Sequence, residues 1–164
     1  MGLLIRAKRA LNNVMDRCVM LLMALLAVVL FIAVIMRYFF NLPLAWSEEV
    51  SRYAFVWLSF LGAELCFRAN AHVGVDLLVQ TFPASLQNAV RRFGQVLAGL
   101  FLLGLLVSGI SVTLATSDQL SPALGIPMCL VYGAVPVGTA LMLLDWIVQV
   151  GSGVTAETAQ AIGS

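Results

Sequence analysis

Four long apolar stretches, separated by short polar segments, set the pattern of this sequence. They cover roughly residues 18–36, 50–67, 93–117 and 126–144. A helix needs about 20 consecutive apolar residues to cross the hydrocarbon core of a bilayer, and each stretch is close to that length. Helices satisfy their backbone N–H and C=O groups internally, which lipid cannot do for them. The pattern therefore predicts an all-α integral membrane protein with four transmembrane helices plus short interfacial amphipathic helices.

Residues 1–17 form the first of these amphipathic segments. If they are helical, their apolar residues share one side, as in a helix that lies at a membrane surface. The apolar run that follows is too long for a secretory signal peptide and ends without small residues at a cleavage site. We therefore expect an uncleaved first span, a single four-helix membrane domain over 18–148 and a flexible C-terminal tail over 149–164.

A second amphipathic segment is predicted at about 71–82, between the second and third spans. Apolar residues recur there at helical spacing, whereas His72 and Asp76 lie four residues apart on another side. The helix is expected to end at Pro83, because proline breaks helical hydrogen bonding. Its place, in the bilayer interface or against a partner, stays open.

The distribution of basic residues predicts the orientation of the chain. Four spans put both termini on the same side of the membrane. Seven of the nine arginines and lysines flank that side, whereas Arg37 and Arg52 lie on the other. Basic residues are enriched in cytoplasmic segments, so both termini are predicted to be cytoplasmic and the turn at 37–49 to face outward.

Composition agrees with a membrane protein and narrows the chemistry. Hydrophobic residues make up 62% of the chain and charged residues 10%, against about 25% charged residues in soluble domains. A net charge of +1 gives no basis for a nucleic-acid partner, so the bilayer and other proteins are the expected surroundings. One histidine, and three cysteines without a C-x-x-C pair, make a metal centre improbable.

Charged residues are densest at the predicted outward turn. Glu48 and Arg52 are four residues apart on a helix, and Glu49 and Arg52 are three apart. At either spacing the side chains are neighbours, so an ion pair can form without distorting the helix. Arg37, across the turn, can join either carboxylate. Trp46 is expected in the aromatic belt at headgroup level. We interpret these five residues as an outward salt-bridged turn and a possible docking surface.

Glu64 is the strongest candidate for a functional residue in the predicted cytoplasmic half. Ionisable side chains inside a span are costly to bury and often mark functional sites. Glu64 precedes Arg68 by four residues, so an ion pair or contact with the interface explains it equally well. Both interpretations stay open. His72 and Asp76 complete this cytoplasmic-side helix junction. A hydrogen bond that fixes their helix is favoured over catalysis, because the sequence ties no nucleophile to them.

Small residues mark two candidate faces for helix packing. Gly104 and Ser108 lie four residues apart in the third span, and Ala134 and Gly138 do so in the fourth. Such pairs allow the backbones of two helices to approach closely in lipid, and they suit association with another subunit. Pro136 is predicted to kink the fourth span.

The order of these motifs resembles that of a known family, the small membrane subunit (DctQ) of the tripartite ATP-independent periplasmic (TRAP) transporters. The resemblance covers about residues 18–146. It rests on RYFFNLPLAWSEE (37–49), Arg52-Tyr53, Val56-Trp57, Leu61-Gly62-Ala63, AHVGVD (71–76), QLSPALGIP (119–127), and Tyr132 with Pro136. Glu64 departs from the small residue expected at its position, so any role for it is peculiar to this chain.

The resemblance implies a non-enzymatic scaffold subunit in the inner membrane of a bacterium or archaeon. Its expected partners are a large multi-span membrane subunit, which carries the transport path and the sodium sites, and a periplasmic substrate-binding protein. The expected cargo is an organic acid such as a dicarboxylate or a sialic acid. No cofactor is expected in this chain, and the outward turn would contact or stabilise the docking face.

Two other function classes remain as alternatives. The first is a self-contained, dimeric, proton-coupled exporter that uses Glu64 as its coupling acid. Its weakness is that ion coupling usually needs polar groups or broken helices near the bilayer midplane, and these four spans offer no central ionisable pair. The second is an intramembrane hydrolase that uses His72, for which the sequence gives little support.

Overall fold

The computed structural model describes residues 2–68 and 84–151, and these residues are almost wholly helical. The helices are α1 (Gly2–Phe39), α2 (Ala45–Arg68), α3 (Ala84–Ala115), the short α4 (Cys129–Tyr132) and α5 (Ala134–Gly151). The described residues contain no β-strand, only an isolated bridge between Leu120 and Pro127. The predicted helix at 71–82, with His72 and Asp76, lies outside the described residues.

Four helical stretches are long and apolar enough to cross a membrane: Leu11–Phe39, Ala45–Arg68, Arg92–Ala115 and Cys129–Val150. The prediction of an all-α protein with four membrane-spanning helices is therefore confirmed. The orientation in the membrane stays a prediction. By that prediction we call the end that carries Arg37 and Glu48 the outer end, and the end that carries Asp16 and Arg68 the inner end.

The helices differ from the expected spans mainly at their ends. The amphipathic N-terminal residues continue into the first span without a break, because α1 runs from Gly2 to Phe39. The second span starts at Ala45, so Ser47 lies inside its first turn. The hydroxyl of Ser47 donates to the carbonyl of Leu44 at 2.7 Å, and Asn41, with φ 52°, reverses the chain between the two helices.

The fourth span is interrupted near the outer end, between α4 and α5. Gly133 separates the two pieces, three residues before Pro136. Proline has no N–H, so Pro136 cannot donate to the carbonyl of Tyr132, and its ring crowds that carbonyl. The interruption therefore falls in the turn that Pro136 weakens. The kink angle itself stays a prediction.

The four spanning helices form an open row in the order α1, α2, α5, α3. In the described residues α1 packs on α2 alone, α2 also packs on α5, and α5 packs on α3. The short α4 contacts α2, α3 and α5 near the outer end. The arrangement is a single layer of helices, so the two end members each have one long neighbour and both faces of the row are open.

Glycines allow the close approaches that hold this row together. A Cβ on Gly138 would lie 2.8 Å from the Cβ of Phe60, so α5 and α2 meet almost backbone to backbone. A Cβ on Gly99 would lie 2.6 Å from the ring of Trp146, where α3 meets α5. A small core of Leu102, Met142 and Leu143 fills the junction of α3 and α5. Close packing of this kind is the main attraction between helices in lipid.

Candidate functional site at the two ends of the helix row

An exposed ion pair joins α1 to α2 at the outer end. Nη2 of Arg37 donates to Oε1 of Glu48 at 3.3 Å, and the two side chains are 60% and 64% exposed. Together they border a shallow groove of about 250 Å³ between the two helices. Exposed ion pairs contribute roughly 0–1 kcal/mol, so this pair orients the turn without holding it firmly.

Glu49 has a different partner from the one its sequence position suggests. Its Oε1 accepts from the backbone N–H of Ala123 at 2.9 Å, and its Oε2 accepts from that of Leu124 at 3.1 Å. The side chain is buried, with 7% of its surface exposed. Glu49 therefore ties α2 to the loop that connects α3 to α4. Arg52 is exposed and forms no ion pair with an acid among the described residues.

The loop that Glu49 holds is a compact turn closed by its own backbone. The N–H of Ser121 donates to the carbonyl of Ile126 at 2.9 Å, and the N–H of Met128 donates to that of Gln119 at 2.8 Å. Gly125 has φ 65°, a left-handed conformation that costs a residue with a side chain more than glycine. The loop therefore presents a fixed backbone to the outer side of the protein.

Two further side chains of α2 reach the start of the fourth span. The hydroxyl of Tyr53 donates to the sulfur of Met128 at 3.6 Å, and the indole N–H of Trp57 donates to the carbonyl of Leu130 at 3.1 Å. Trp46 lies partly exposed at the outer end, as does Tyr38 across the turn. The outer surface thus combines an exposed ion pair, exposed aromatic side chains and a loop whose backbone is bonded to Glu49.

The inner end holds charged residues from three helices, which we call the inner cluster: Asp16 of α1, Glu64 and Arg68 of α2, and Asp145 of α5. Nη2 of Arg68 donates to Oδ1 of Asp16. Glu64 is 2% exposed and Asp145 5% exposed. The side chain of Glu64 lies within hydrogen-bonding reach of that of Asp145, and Arg68 and Asp16 are close enough to act on it electrostatically.

The ion pair of Glu64 with Arg68, one of the interpretations left open for Glu64, does not form. No ion pair joins the two within 4.0 Å in the described part of the chain, because Arg68 faces Asp16 on α1 and Glu64 faces α5. The cluster therefore links three neighbouring helices of the row. A further bond, from the indole N–H of Trp146 to the carbonyl of Gln95 at 3.1 Å, links α5 to α3.

Sequence reasoning missed Asp16 and Asp145 as members of this cluster. Neither residue was assigned a role from the sequence. The available signal was that each lies at the inner end of an apolar stretch, at the same depth as Arg68 if the spans alternate in direction. Which helices are neighbours could not be read from that signal. His72 and Asp76 lie outside the described residues.

The small residues that were expected to pack do so unequally. Gly138 faces Phe60 of α2, and Ala134, one turn earlier in α5, is fully buried inside the chain. They are therefore not available to another subunit. A Cβ on Gly104 would meet nothing within 4 Å, and Ser108 is exposed. That second pair lies on an open surface of α3.

The arrangement supports structural linkage better than chemistry on a substrate. Among the described residues, no group of three or more histidine, cysteine, aspartate or glutamate side chains is placed to hold a metal ion. In the described part of the chain, the buried carboxyl groups inside the spans face a neighbouring loop, in the case of Glu49, or a neighbouring helix, in the case of Glu64. The described helices form one layer whose members are joined by polar contacts at the outer end and at the inner end.

Comparison with known proteins agrees with the order of motifs. The family model for the DctQ component of the tripartite ATP-independent periplasmic transporters matches residues 8–156. A protein named as a TRAP transporter small permease in Haemophilus influenzae is 34% identical over 125 residues, which cover 76% of this chain and 77% of that protein.

Two further relatives differ more in length. The C4-dicarboxylate TRAP transporter small permease protein DctQ of Rhodobacter capsulatus is 37% identical over 115 residues, 65% of this chain and 48% of the relative. The sialic acid TRAP transporter permease protein SiaT of Haemophilus influenzae is 28% identical over 119 residues, 73% of this chain but 19% of the relative. The chain therefore belongs to the DctQ component family of the TRAP transporters, a family of multi-pass inner-membrane transport proteins and not of enzymes.

Proposed function

We propose that this chain is the supporting subunit of a TRAP transporter and that it holds a large multi-span membrane subunit without itself binding substrate. The observation that carries the proposal is the open row of helices. A single layer tied at both ends encloses no polar path across the membrane in its described part, yet it offers broad apolar faces to a partner. A rigid layer of this kind suits a scaffold.

Two much longer relatives support the proposal that a large membrane subunit is the partner of this chain. The match to the sialic acid permease SiaT covers 19% of that protein, and the match to the isethionate permease DctMQ of Oleidesulfovibrio alaskensis covers 16%. In these relatives a segment similar to this chain is continuous with a much longer polypeptide. A separate large subunit would take the place of that longer part for this chain, and it would carry the transport path and the sodium sites.

The outer end would support the docking of a periplasmic substrate-binding protein. Arg37 and Glu48 are exposed there, Arg52 carries a charge with no ion pair in the described residues, and the loop at Ala123 and Leu124 is held from beneath by Glu49. Exposed charges steer a soluble partner, and a fixed backbone limits the entropy lost on docking. We place the docking surface at these residues.

The proposed transport reaction is ion-coupled uptake of an organic acid. The relatives are named for C4-dicarboxylate, sialic acid and isethionate, all of which carry an acidic group. Recognition of the acid would belong to the binding protein and the large subunit. The residues described in this chain supply no enclosed cationic pocket for it.

Co-purification tests the scaffold role. The tagged chain, expressed together with a large TRAP membrane subunit from the same genome, is expected to form a stable complex in detergent. Uptake in proteoliposomes is expected to require both membrane subunits, the binding protein and a sodium gradient. Absence of a complex under conditions where both proteins remain folded would overturn the proposal, as would uptake by the large subunit and binding protein alone at the full rate.

A self-contained proton-coupled exporter that uses Glu64 is the alternative, and one observation favours it: Glu64 is a buried acid with an oxygen, Oε2, that lacks a hydrogen-bond partner among the described residues. Its position speaks against the exporter, because Glu64 faces Asp145 inside the α2–α5 junction. Proteoliposomes that contain this chain alone distinguish the two. Proton-driven transport by the wild type that is lost in Glu64→Gln would establish the exporter.

A further inference from the structure

The groove between α1 and α2 at the outer end has a polar half and an apolar half. Leu30, Ala33 and Val34 of α1 line the deeper half, and Arg37 and Glu48 border the upper half. The spanning part of α1 ends two residues after Arg37, so Arg37 lies at headgroup level. At about 1.5 Å per residue, Leu30 lies about 10 Å deeper. The groove therefore runs from the headgroup region into the hydrocarbon of the bilayer.

The polar half carries one charge of each sign, and both are accessible. Nη2 of Arg37 and Oε1 of Glu48 are 3.3 Å apart, and more than half of each side chain is exposed. One turn deeper on α2, the buried Oγ of Ser51 has no hydrogen-bond partner among the described residues, although buried hydroxyl groups usually have one. The polar groups of this half are therefore not all satisfied within the described chain.

This combination of groups fits a zwitterionic phospholipid. A guanidinium binds phosphate oxygens through paired hydrogen bonds, and a carboxylate accepts hydrogen bonds from an ammonium group. A phosphoethanolamine headgroup offers a phosphate and an ammonium group side by side, and the acyl chains beneath it would enter the apolar half of the groove. An anionic headgroup without an ammonium group would instead meet Glu48 as a like charge.

Phosphocholine fits the groove less well than phosphoethanolamine. Its quaternary ammonium group has no N–H to donate to Glu48. Proteins usually recognise that group with a cage of several aromatic rings, whereas Tyr38 is the one aromatic residue among the described residues that line the groove. The headgroup that uses both charges of the groove is therefore phosphoethanolamine.

The two charges also distinguish this groove from a surface for helix packing. A groove of similar volume between α2, α3 and α5 is lined, in the described residues, by apolar side chains and one serine, so it offers nothing that selects a headgroup. A protein helix that covered the α1–α2 groove would bury Arg37 and Glu48, and removing charges from water is costly. A lipid headgroup stays in contact with water and leaves both side chains hydrated.

We propose that the groove binds a phospholipid with a phosphoethanolamine headgroup, its phosphate on Arg37 and its ammonium group on Glu48. The lipid would replace part of the direct ion pair and fill the space between the two helices. Among the described helices α1 packs on α2 alone, so the lipid would strengthen the attachment of α1 to the row. Its headgroup would become part of the outer surface. The proposal does not depend on the transported acid or on the large subunit.

Native mass spectrometry of the full-length chain in detergent tests the proposal. The purified chain is titrated with phosphatidylethanolamine, phosphatidylcholine and phosphatidylglycerol that carry the same acyl chains. Phosphatidylethanolamine is expected to bind about three- to fivefold more tightly than the other two, a difference within the range of one exposed charge pair. Equal affinities would overturn the proposal, and so would tighter binding of phosphatidylglycerol, which would indicate a site for anionic lipids.

Single variants assign the two contacts. Glu48→Gln is expected to lower the affinity for phosphatidylethanolamine to that for phosphatidylcholine, because the amide carries no charge to attract the ammonium group. Arg37→Gln is expected to weaken the binding of both lipids. Arg52→Gln is the matched control and should change no affinity, because Arg52 is exposed at the same end but does not line the groove. A preference for phosphatidylethanolamine that persists in Glu48→Gln contradicts the proposed contact.

Crosslinking in the native membrane tests whether a protein helix takes the place of the lipid. A phosphatidylethanolamine with a photoreactive group in its acyl chain is expected to label α1 between Leu30 and Val34, and Arg37→Gln is expected to reduce the labelling. Absence of labelling on this part of α1 in the wild type would show that a protein covers the groove, and the proposal would be wrong.

Discussion

The outer and inner ends of the helix row are both tied by charged side chains, but by different means. At the outer end the buried carboxylate of Glu49 accepts from two backbone N–H groups of a loop. At the inner end the buried carboxyl of Glu64 faces another carboxyl, that of Asp145. Each end also has an ion pair between α1 and α2, exposed in one case and partly buried in the other.

The difference shows how a buried acid can be accommodated in two ways. Backbone N–H groups are permanent donors, so Glu49 stays ionised and its bond persists wherever the loop keeps its shape. Glu64 instead lies against the side chain of Asp145, so its surroundings are set by the packing of α5 on α2. The outer end therefore fixes a loop to α2, whereas the inner end links helices of the row to one another.

Replacement of Arg68 by alanine has the largest expected effect. The variant removes the one guanidinium of the inner cluster and leaves Asp16 without its ion-pair partner. Loss of one partner from a buried ion pair costs about 3–5 kcal/mol, and the partial exposure of Asp16 reduces the expected loss to about 2–3 kcal/mol. Unfolding by SDS in mixed micelles, followed by circular dichroism, measures it.

Arg52→Ala is the control for this prediction. Arg52 lies on the same helix, is exposed and has no ion pair among the described residues, so its loss is expected to change stability by less than about 0.5 kcal/mol. Equal effects of the two variants would show that the inner cluster contributes nothing beyond an ordinary surface charge.

Glu49→Gln tests whether the outer loop is held by charge-assisted hydrogen bonds. The amide offers one acceptor where the carboxylate offers two, and its NH₂ group would face a backbone N–H. The expected loss is about 2 kcal/mol, in the range for buried hydrogen bonds to a charged group. Hydrogen exchange at Ala123 and Leu124 should accelerate together with it. The neighbouring Glu48→Gln, at an exposed site, should leave both quantities nearly unchanged.

Gly138→Ala separates packing inside the row from packing on its surface. The new Cβ would lie 2.8 Å from the Cβ of Phe60 and 3.2 Å from its carbonyl oxygen, so α2 and α5 must move apart. Overpacking costs about 1–3 kcal/mol and the better helix propensity of alanine returns up to about 1 kcal/mol, so a net loss of about 1 kcal/mol is expected.

Gly104→Ala provides the comparison. Nothing within the chain lies near the added carbon, so the isolated chain is expected to keep or slightly gain stability. Thermal unfolding of both variants checks this prediction. A loss for Gly104→Ala as large as that for Gly138→Ala would contradict the order of the helices in the row.

The number and type of helices were predictable from the sequence because each span is a long apolar run between charged ends. Their order in the row was not. In a soluble protein the buried face of a helix is apolar and the exposed face polar, but in lipid both faces are apolar. The sequence therefore treats Gly104 and Gly138 alike, although one lies on an open surface and the other against Phe60.

The polar contacts were also predictable only where they do not depend on which helices are neighbours. The pairing of Arg37 with either neighbouring acid was foreseen, since the turn brings them together, and the structure pairs it with Glu48. The candidate partners of Glu49 and Glu64 were all residues near in the sequence, Arg37, Arg52 and Arg68, because only short spacings can be read from a sequence. Their partners, the loop at Ala123 and the side chain of Asp145, are distant in the chain and depend on which helices are neighbours.

The smallest expected effect distinguishes the two ion pairs between α1 and α2. A double-mutant cycle of Arg37→Ala and Glu48→Ala is expected to give a coupling energy below about 0.5 kcal/mol, which salt should reduce further, because both side chains are exposed. The corresponding cycle of Asp16→Ala and Arg68→Ala should give a larger coupling that salt changes less, because the guanidinium is mostly buried. Equal couplings with equal salt dependence would mean that both ends of α1 are held only by exposed charges. In that case the firm attachment of α1 to the row would have to come from apolar packing on α2 alone.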